Sequence, residues 1–356
     1  EWSGVKDKYV KVPQLDLFRI WHYNNKARMT SLKKLEIAMR YENVQDMPYS
    51  HDSEIETREQ VNEILEYNLN DVKATFDFYK KTLKKLELRR GLYQKYKLKC
   101  MNFPDTKIGE ELTLKLYCEA TGEDINEVRK GRTYRDVFKF KECFPDYLYF
   151  TTPEFNQLQE YLEGIEVNEL KGSFKYSFEY HGFTFDLGTG GIHGCIKQGV
   201  YESDDTHIIV DIDVASLYPS LAIANNLYPE HLGEEFCDVY KEGIVQPRLE
   251  AKKSGDKVMA DGFKLSANSV YGKSNSEFSW LYDPLYTLKT TLAGQLSLCM
   301  LSEKLITQVD DLTMIQINTD GITVRIPKSE KRHFYNLCKE WEKETGLILE
   351  NFAYEK

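Results

Sequence analysis

Three patterns of apolar and polar positions divide this chain of 356 residues. Between Ser53 and Leu88 apolar residues recur three or four positions apart among charged ones, and residues 1–100 as a whole read as helical on that spacing. From Phe174 to Phe185 the period shortens to two, with aromatic residues alternating about His181-Gly182, which predicts a β-hairpin turning at that dipeptide. Residues 100–200 are otherwise mixed and end in the Gly-rich stretch Gly188-Thr-Gly-Gly-Ile-His-Gly194. From about residue 205 short apolar strands alternate with helical runs, and no internal repeat or low-complexity segment interrupts them.

One strand carries an anomaly. Alternation along His207–Val214 sets Ile208, Val210, Ile212 and Val214 on one face and Ile209, Asp211 and Asp213 on the other. Two carboxylates on an otherwise apolar strand are costly to bury without a partner, and a metal ion is the usual one. Pro219 then suits the first turn of a following helix, whose free amides form a natural anion site. A cation site beside a phosphate site is the layout that nucleotidyl transfer requires.

Two further segments gain meaning beside it. In Lys264–Gly272, the positions Lys264, Asn268 and Tyr271 share one helix face, and Gly272 is expected to end the helix. Arg248 and Lys252 share a face upstream, and Ser254-Gly255-Asp256 is the turn of a helical hairpin. Counting from that turn, Arg248 lies about 10 Å and Lys264 about 13 Å from the tip, nearly level, so a triphosphate would satisfy both. Taken alone, the pair reads sooner as ordinary surface cations. In Leu312–Ile326, two strands are expected around Asp320-Gly321, and alone this is a plain hairpin.

Composition narrows the class. With 41% hydrophobic and 13% aromatic residues, 24 of them Tyr, the chain is globular, and no run approaches the roughly 18 apolar residues of a membrane span. The seven cysteines form no C-x-x-C and the seven histidines no H-x-x-x-H, so neither a zinc site nor a disulfide framework is expected, and free thiols fit a reducing cytoplasm. A net charge of −10 is awkward for a nucleic-acid partner, but nine cations and one acid lie between Lys80 and Lys99. That run reads either as a solvated helix face or as a DNA contact.

In order and about fifty residues apart, the chain shows D-x-x-S-L-Y-P-S, K-x-x-x-N-S-x-Y-G and T-D-G. This series resembles motifs A, B and C of the family B DNA-directed DNA polymerases, firmly over residues 205–326 and loosely elsewhere. The short stretch between motifs A and B and the G-G-I-H-G run look most like bacteriophage members. The resemblance implies an α+β fold: a palm sheet interrupted by a helical fingers hairpin, preceded by the C-terminal part of a ribonuclease-H-like 3′-5′ exonuclease domain. Its expected limits are 1–100 for the exonuclease part, 101–200 for a connecting region, 201–240 and 276–356 for the palm, and 241–275 for the fingers. The chain starts at Glu1 and stops some thirty-five residues past Asp320. It is therefore expected to be a fragment lacking the start of the exonuclease domain and the thumb.

By the same resemblance, Asp213, Asp320 and the Val214 carbonyl are expected to hold two Mg²⁺ ions, with Mn²⁺ as a substitute. The amides of Ser216, Leu217 and Tyr218 would take the triphosphate, with the Tyr218 ring as a steric gate against ribonucleotides. Arg248, Lys252 and Lys264 would meet the incoming dNTP, and Asn268 would support them. Tyr271 and Gly272 would lie beside the nascent base pair, and Gly190-Gly191 would touch the template strand. Tyr67 and Asp71 resemble the Y-x-x-x-D of the third exonuclease motif, while the first two motifs are not found, so that remnant is expected to be inactive. The implied partners are primer–template DNA, dNTPs, and a priming protein or processivity factor, in a bacterial host cytoplasm and at no membrane. The family's third motif usually reads D-T-D, whereas here it is Asn318-Thr-Asp320, which keeps an oxygen donor and loses a charge. Asp211, on the strand face of Asp213, is a candidate to replace that charge. Two rivals stay open: a catalytically impaired module that only binds DNA, and a nuclease acting through Asp71.

Overall fold

A computed structural model describes residues 14–354, and the chain divides into two compact units. One comprises the residues up to Leu112 together with Arg248–Ser266, and the other comprises Thr113–Pro247 and the chain from Ala267 onward.

The first unit is helical, as the 3.6-residue spacing predicts. Its longest helix, Arg58–Tyr96, starts at a capping box in which Thr57 Oγ1 accepts from the Gln60 amide and Gln60 Oε1 accepts from the Thr57 amide. It ends where Lys97 turns left-handed at φ 54° and its N–H donates to the Tyr93 carbonyl. Asn70, Ala74, Phe78, Thr82 and Leu86, four apart, form the buried stripe. Trp21 covers part of it, its ring 5.5 Å from Phe78 and its indole N–H donating to Thr82 Oγ1 at 2.9 Å. The basic run is more than a solvated face. Arg89 is fully buried, donates to the carbonyls of Lys85 and Phe103 and pairs with Asp105, which Lys85 also contacts.

The helices Gln246–Ser254 and Lys257–Ser274 flank the expected turn. Helix Asp105–Thr121 meets the second of them so closely that a Cβ on Gly109 would overlap the Leu265 carbonyl oxygen. One expectation fails here: Gly272 does not end its helix, which continues to Ser274. Gly272 has no positive φ, and the last turn is held by other bonds. Ser274 Oγ donates to the Tyr271 carbonyl at 2.8 Å, and the Asp283 amide donates to the Ser274 carbonyl at 2.8 Å.

The second unit is built on β-structure. Strands β1 (Phe138–Lys139) and β2 (Glu166–Val167) form a small ladder. Strands β3 (Lys175–Tyr180), β4 (Phe183–Gly188), β5 (Gly191–Cys195), β6 (His207–Val214), β7 (Thr313–Asn318), β8 (Gly321–Pro327) and β9 (Leu349–Tyr354) form one sheet. Its order is β3-β4-β5-β7-β8-β6-β9, with every pairing antiparallel. The β3–β4 turn falls on His181 (φ 49°) and Gly182 (φ 74°), the two positive φ values that a tight hairpin needs. Residues 175–195, upstream of motif A, therefore belong to the same sheet as the motif strands. Phe155 packs edge-on against Phe178 and Phe185 at 5.0 and 5.4 Å. The helix Pro284–Gln308 is buried along most of its length. Beside it the helix Lys331–Thr345 inserts Trp341, fully buried, whose Nε1–H donates to the Ser297 carbonyl at 3.0 Å. The architecture is α+β with antiparallel sheets, and no described helix is long and apolar enough to cross a membrane.

Candidate active site

Strand β6 runs between β8 and β9, and this register assembles the site. Asp213 stands opposite Gly321 on one side and Glu350 on the other. The β7–β8 loop is two residues, Thr319 and Asp320, because Asn318 pairs directly with Gly321. The expected turn at Asp320-Gly321 is thus shifted one residue back, with Gly321 already in the strand. The Val214 amide donates to the Asp320 carbonyl at 2.7 Å, tying the end of β6 to the hairpin tip. Gly321 is required by contact rather than by turn geometry. A Cβ there would overlap Asp213 Oδ1 and approach its Cγ to 2.9 Å.

Beyond Val214, the Ala215 amide donates to the Ile348 carbonyl at 2.8 Å, and Ser216 turns left-handed at φ 52° to start the helix Leu217–Ala224. The amides of Leu217 and Tyr218 lie in its first turn, where a helix supplies no acceptor of its own. Pro219, buried, sits in that turn as expected. Tyr218 stacks on Tyr271 with ring centroids 3.7 Å apart and planes 14° from parallel, and the Tyr271 hydroxyl meets Thr291 Oγ1 at 3.0 Å. Burial, then Tyr271 and Asp320, raise the Tyr218 phenol well above its ordinary range. Within one unit, residues of all three motifs therefore come together: Asp213, Tyr218, Tyr271 and Asp320.

The electrostatics are those of crowded anions. Burial, followed by the charges of Asp211, Asp320 and Glu350, pushes the Asp213 carboxyl up to about 6. Among the described residues, none of these four carboxylates has a Lys, Arg or His nitrogen within 4.0 Å. Such a deficit of positive charge fits a bound cation. Among the described residues no three His, Cys, Asp or Glu side chains form a ready-made cage. The groups expected to hold one from the sequence are instead Asp213, Asp320 and the Val214 carbonyl, and the structure places Asp320 among the acids around Asp213. Asp211 accepts from Thr323 Oγ1 at 2.6 Å and adds to the repulsion on Asp213.

Asn318 takes part in a contact that sequence reasoning missed. Strand β5 pairs with β7 so that His193 faces Asn318, and His193 Nδ1 donates to Asn318 Oδ1 at 3.0 Å. The Thr319 amide donates to the Ile192 carbonyl at 2.9 Å. The Gly-rich turn Thr189-Gly190, closed by the pair Gly188–Gly191, is therefore the next hairpin along the sheet from the Asp320 tip. Only the G-G-I-H-G spelling hinted at that neighbour. Glu350, brought beside Asp213 by β9, had no local signal at all.

In the first unit, Arg248, Lys252 and Lys264 line one groove of about 360 Å³, joined by Lys257 and Asp261. The hairpin thus brings the three expected cations together. Lys264 and Asn268 both lie on exposed positions of their helix, and Gly272 is exposed as well. Tyr67 hydrogen-bonds Asp71 on the long helix, and burial raises the Asp71 carboxyl while that bond opposes the rise. A residue not foreseen lies near them. Glu36, on the helix Leu32–Met39, is buried, its Oε1 has no hydrogen-bond partner among the described residues, and its carboxyl is raised by burial and by Asp71.

No protein-family model matches the chain, and no curated protein matches it. Among solved structures it is similar to the family B DNA polymerase from the hyperthermophilic archaeon Pyrobaculum calidifontis, with a TM-score of 0.39 and 14% sequence identity. The match covers 96% of this chain and 42% of that polymerase.

Proposed function

We propose that the chain carries the palm and fingers of a family B DNA-directed DNA polymerase of bacteriophage type, extending a primer 3′ end with dNTPs on a DNA template. One observation carries the reading. Asp213, Tyr218, Tyr271 and Asp320, from motifs spread over about a hundred residues, meet at a cluster of carboxylates that, among the described residues, have no Lys, Arg or His nitrogen within 4.0 Å.

In this reading Asp213, Asp320 and the Val214 carbonyl hold two Mg²⁺ ions, with Mn²⁺ as a substitute. When bound, these ions supply charge neutralisation on the phosphates and a more acidic primer hydroxyl. The amides of Ser216, Leu217 and Tyr218 donate to phosphate oxygens, as helix N-termini do. The Tyr218 ring, fixed by its stack on Tyr271, fills the space of a ribose 2′-hydroxyl. Arg248, Lys252 and Lys264 neutralise the triphosphate, and Asn268 supports that contact. Tyr271 and Gly272 border the new base pair, and the Gly190-Gly191 turn meets the template strand. Asn318 favours the rival reading, a catalytically impaired module that only binds DNA, because it removes one charge from the cluster.

The deciding experiment is extension of a labelled primer–template at low salt and high protein concentration, with Mg²⁺ or Mn²⁺. Asp213→Ala or Asp320→Ala should lower extension by several orders of magnitude, and Asn318→Ala far less. Binding of primer–template without extension by the unaltered chain would select the rival reading. Equal losses at all three positions would show the metal ligands to be misassigned.

A further inference from the structure

Away from the carboxylates, two loops of the second unit are fastened together. The first is Arg129-Lys-Gly-Arg-Thr-Tyr-Arg135, with four cations in seven residues and no acid. The second joins the helices ending at Ser274 and starting at Pro284. Arg132 fastens them: its Nε donates to the Glu277 carbonyl at 3.0 Å and one terminal nitrogen to the Phe278 carbonyl at 3.2 Å. Its other terminal nitrogen donates to the carbonyls of Arg129, at 2.8 Å, and Gly131. The Thr133 amide donates to the Tyr282 carbonyl at 2.9 Å, and His231 Nε2 donates to the Trp280 carbonyl at 2.8 Å.

This frame holds Phe278 87% exposed. A single exposed aromatic residue is unremarkable on a protein surface. A backbone anchored on both carbonyls beside it is another matter, because little chain entropy remains to be lost when a partner binds. Tyr134 is also largely exposed, at 71%, and its ring lies 5.4 Å from Tyr282 in the second loop. Of the nearby cations, Lys130 pairs with Glu127, and Arg135 with Glu230 and Asp283. Arg132 has carbonyl partners and, among the described residues, no carboxylate within 4.0 Å, so its charge is not cancelled by contact.

We propose that this surface binds single-stranded nucleic acid, stacking bases on Phe278 and Tyr134 while Arg132 faces a phosphate. Exposed rings with unneutralised positive charge suit a strand whose base faces are free, and duplex DNA hides those faces. The site does not depend on chemistry at Asp213 and Asp320, so its failure and theirs are separable.

The test uses the full chain and a mixed-sequence DNA strand of about twelve nucleotides, within the range such sites cover. In Phe278→Trp, the emission in excess of the unaltered chain should be quenched as the strand is added. Phe278→Ala should bind about tenfold more weakly, the effect of losing one stacked base, with unchanged melting temperature. An abasic strand of equal length should bind weakly and quench little. Three results would overturn the proposal: no quenching at saturating strand, equal quenching by duplex or abasic DNA, or unaltered binding by Phe278→Ala. The last would leave the ring to a protein partner.

Discussion

Asp213→Asn tests the carboxylate cluster most directly, because it separates stability from function. The Asp213 carboxyl is raised from 3.8 to about 6 by burial and by three neighbouring acids. A raised carboxyl means that the folded state binds the proton more tightly than the unfolded state. Its penalty is absent below pH 3.8, grows as pH rises through about 6, and is complete at neutrality. The full shift corresponds to about 3 kcal/mol. Asp213 is partly open to solvent, and screening brings the expected figure to about 1 kcal/mol. In metal-free buffer at neutral pH, Asp213→Asn should therefore be more stable than the unaltered chain by about 1 kcal/mol, although extension is lost. The gain should vanish near pH 4, where the native carboxyl is protonated. Urea denaturation with a chelator, repeated with Mg²⁺, reads both effects. Mg²⁺ should stabilise the unaltered chain by mass action and the variant little. A variant less stable without metal, yet stabilised by Mg²⁺ as much as the parent, would refute both the crowding of anions at Asp213 and its part in holding metal.

Gly321→Ala should lose about 1–3 kcal/mol in urea denaturation together with most extension, because its Cβ displaces the Asp213 carboxylate; unchanged stability and activity would mean the strand register is wrong. Tyr218→Ala should admit ribonucleotides in single-turnover extension, since it removes the ring held on Tyr271, and unaltered discrimination would rule out the gate. His231 is held below its ordinary 6.5, chiefly by burial. It accepts from Thr133 Oγ1 and donates to the Trp280 carbonyl, the pattern of a neutral ring. The unfolded chain binds that proton more readily, so stability should fall as pH drops below about 6.5, by at most about 1.4 kcal/mol per pH unit. His231→Gln should flatten that slope in pH-dependent melting, and an unchanged slope would place the proton uptake elsewhere.

Local periodicity and turn chemistry determined much of this protein. The sequence alone foretold the strand with Asp211 and Asp213, the His181-Gly182 turn, the helical hairpin about Gly255 and the hairpin carrying Asp320, because each depends on neighbours a few residues away. Helix and strand ends were less legible. Gly272 looked like a stop, but the helix runs on to Ser274, whose side chain bonds the Tyr271 carbonyl and whose own carbonyl accepts from the more distant Asp283 amide. Tertiary structure alone decided several of the meetings at the site. Strand β9 brings Glu350 to Asp213, β5 brings His193 to Asn318, and the stack of Tyr218 on Tyr271 joins residues more than fifty positions apart. Strand order and register bring about these meetings, and both follow from burying whole faces of a sheet rather than from any one segment's pattern. The raised Asp213 carboxyl has in part the same origin: Asp211 is its neighbour along the strand, but Asp320 and Glu350 crowd it only once the chain has folded.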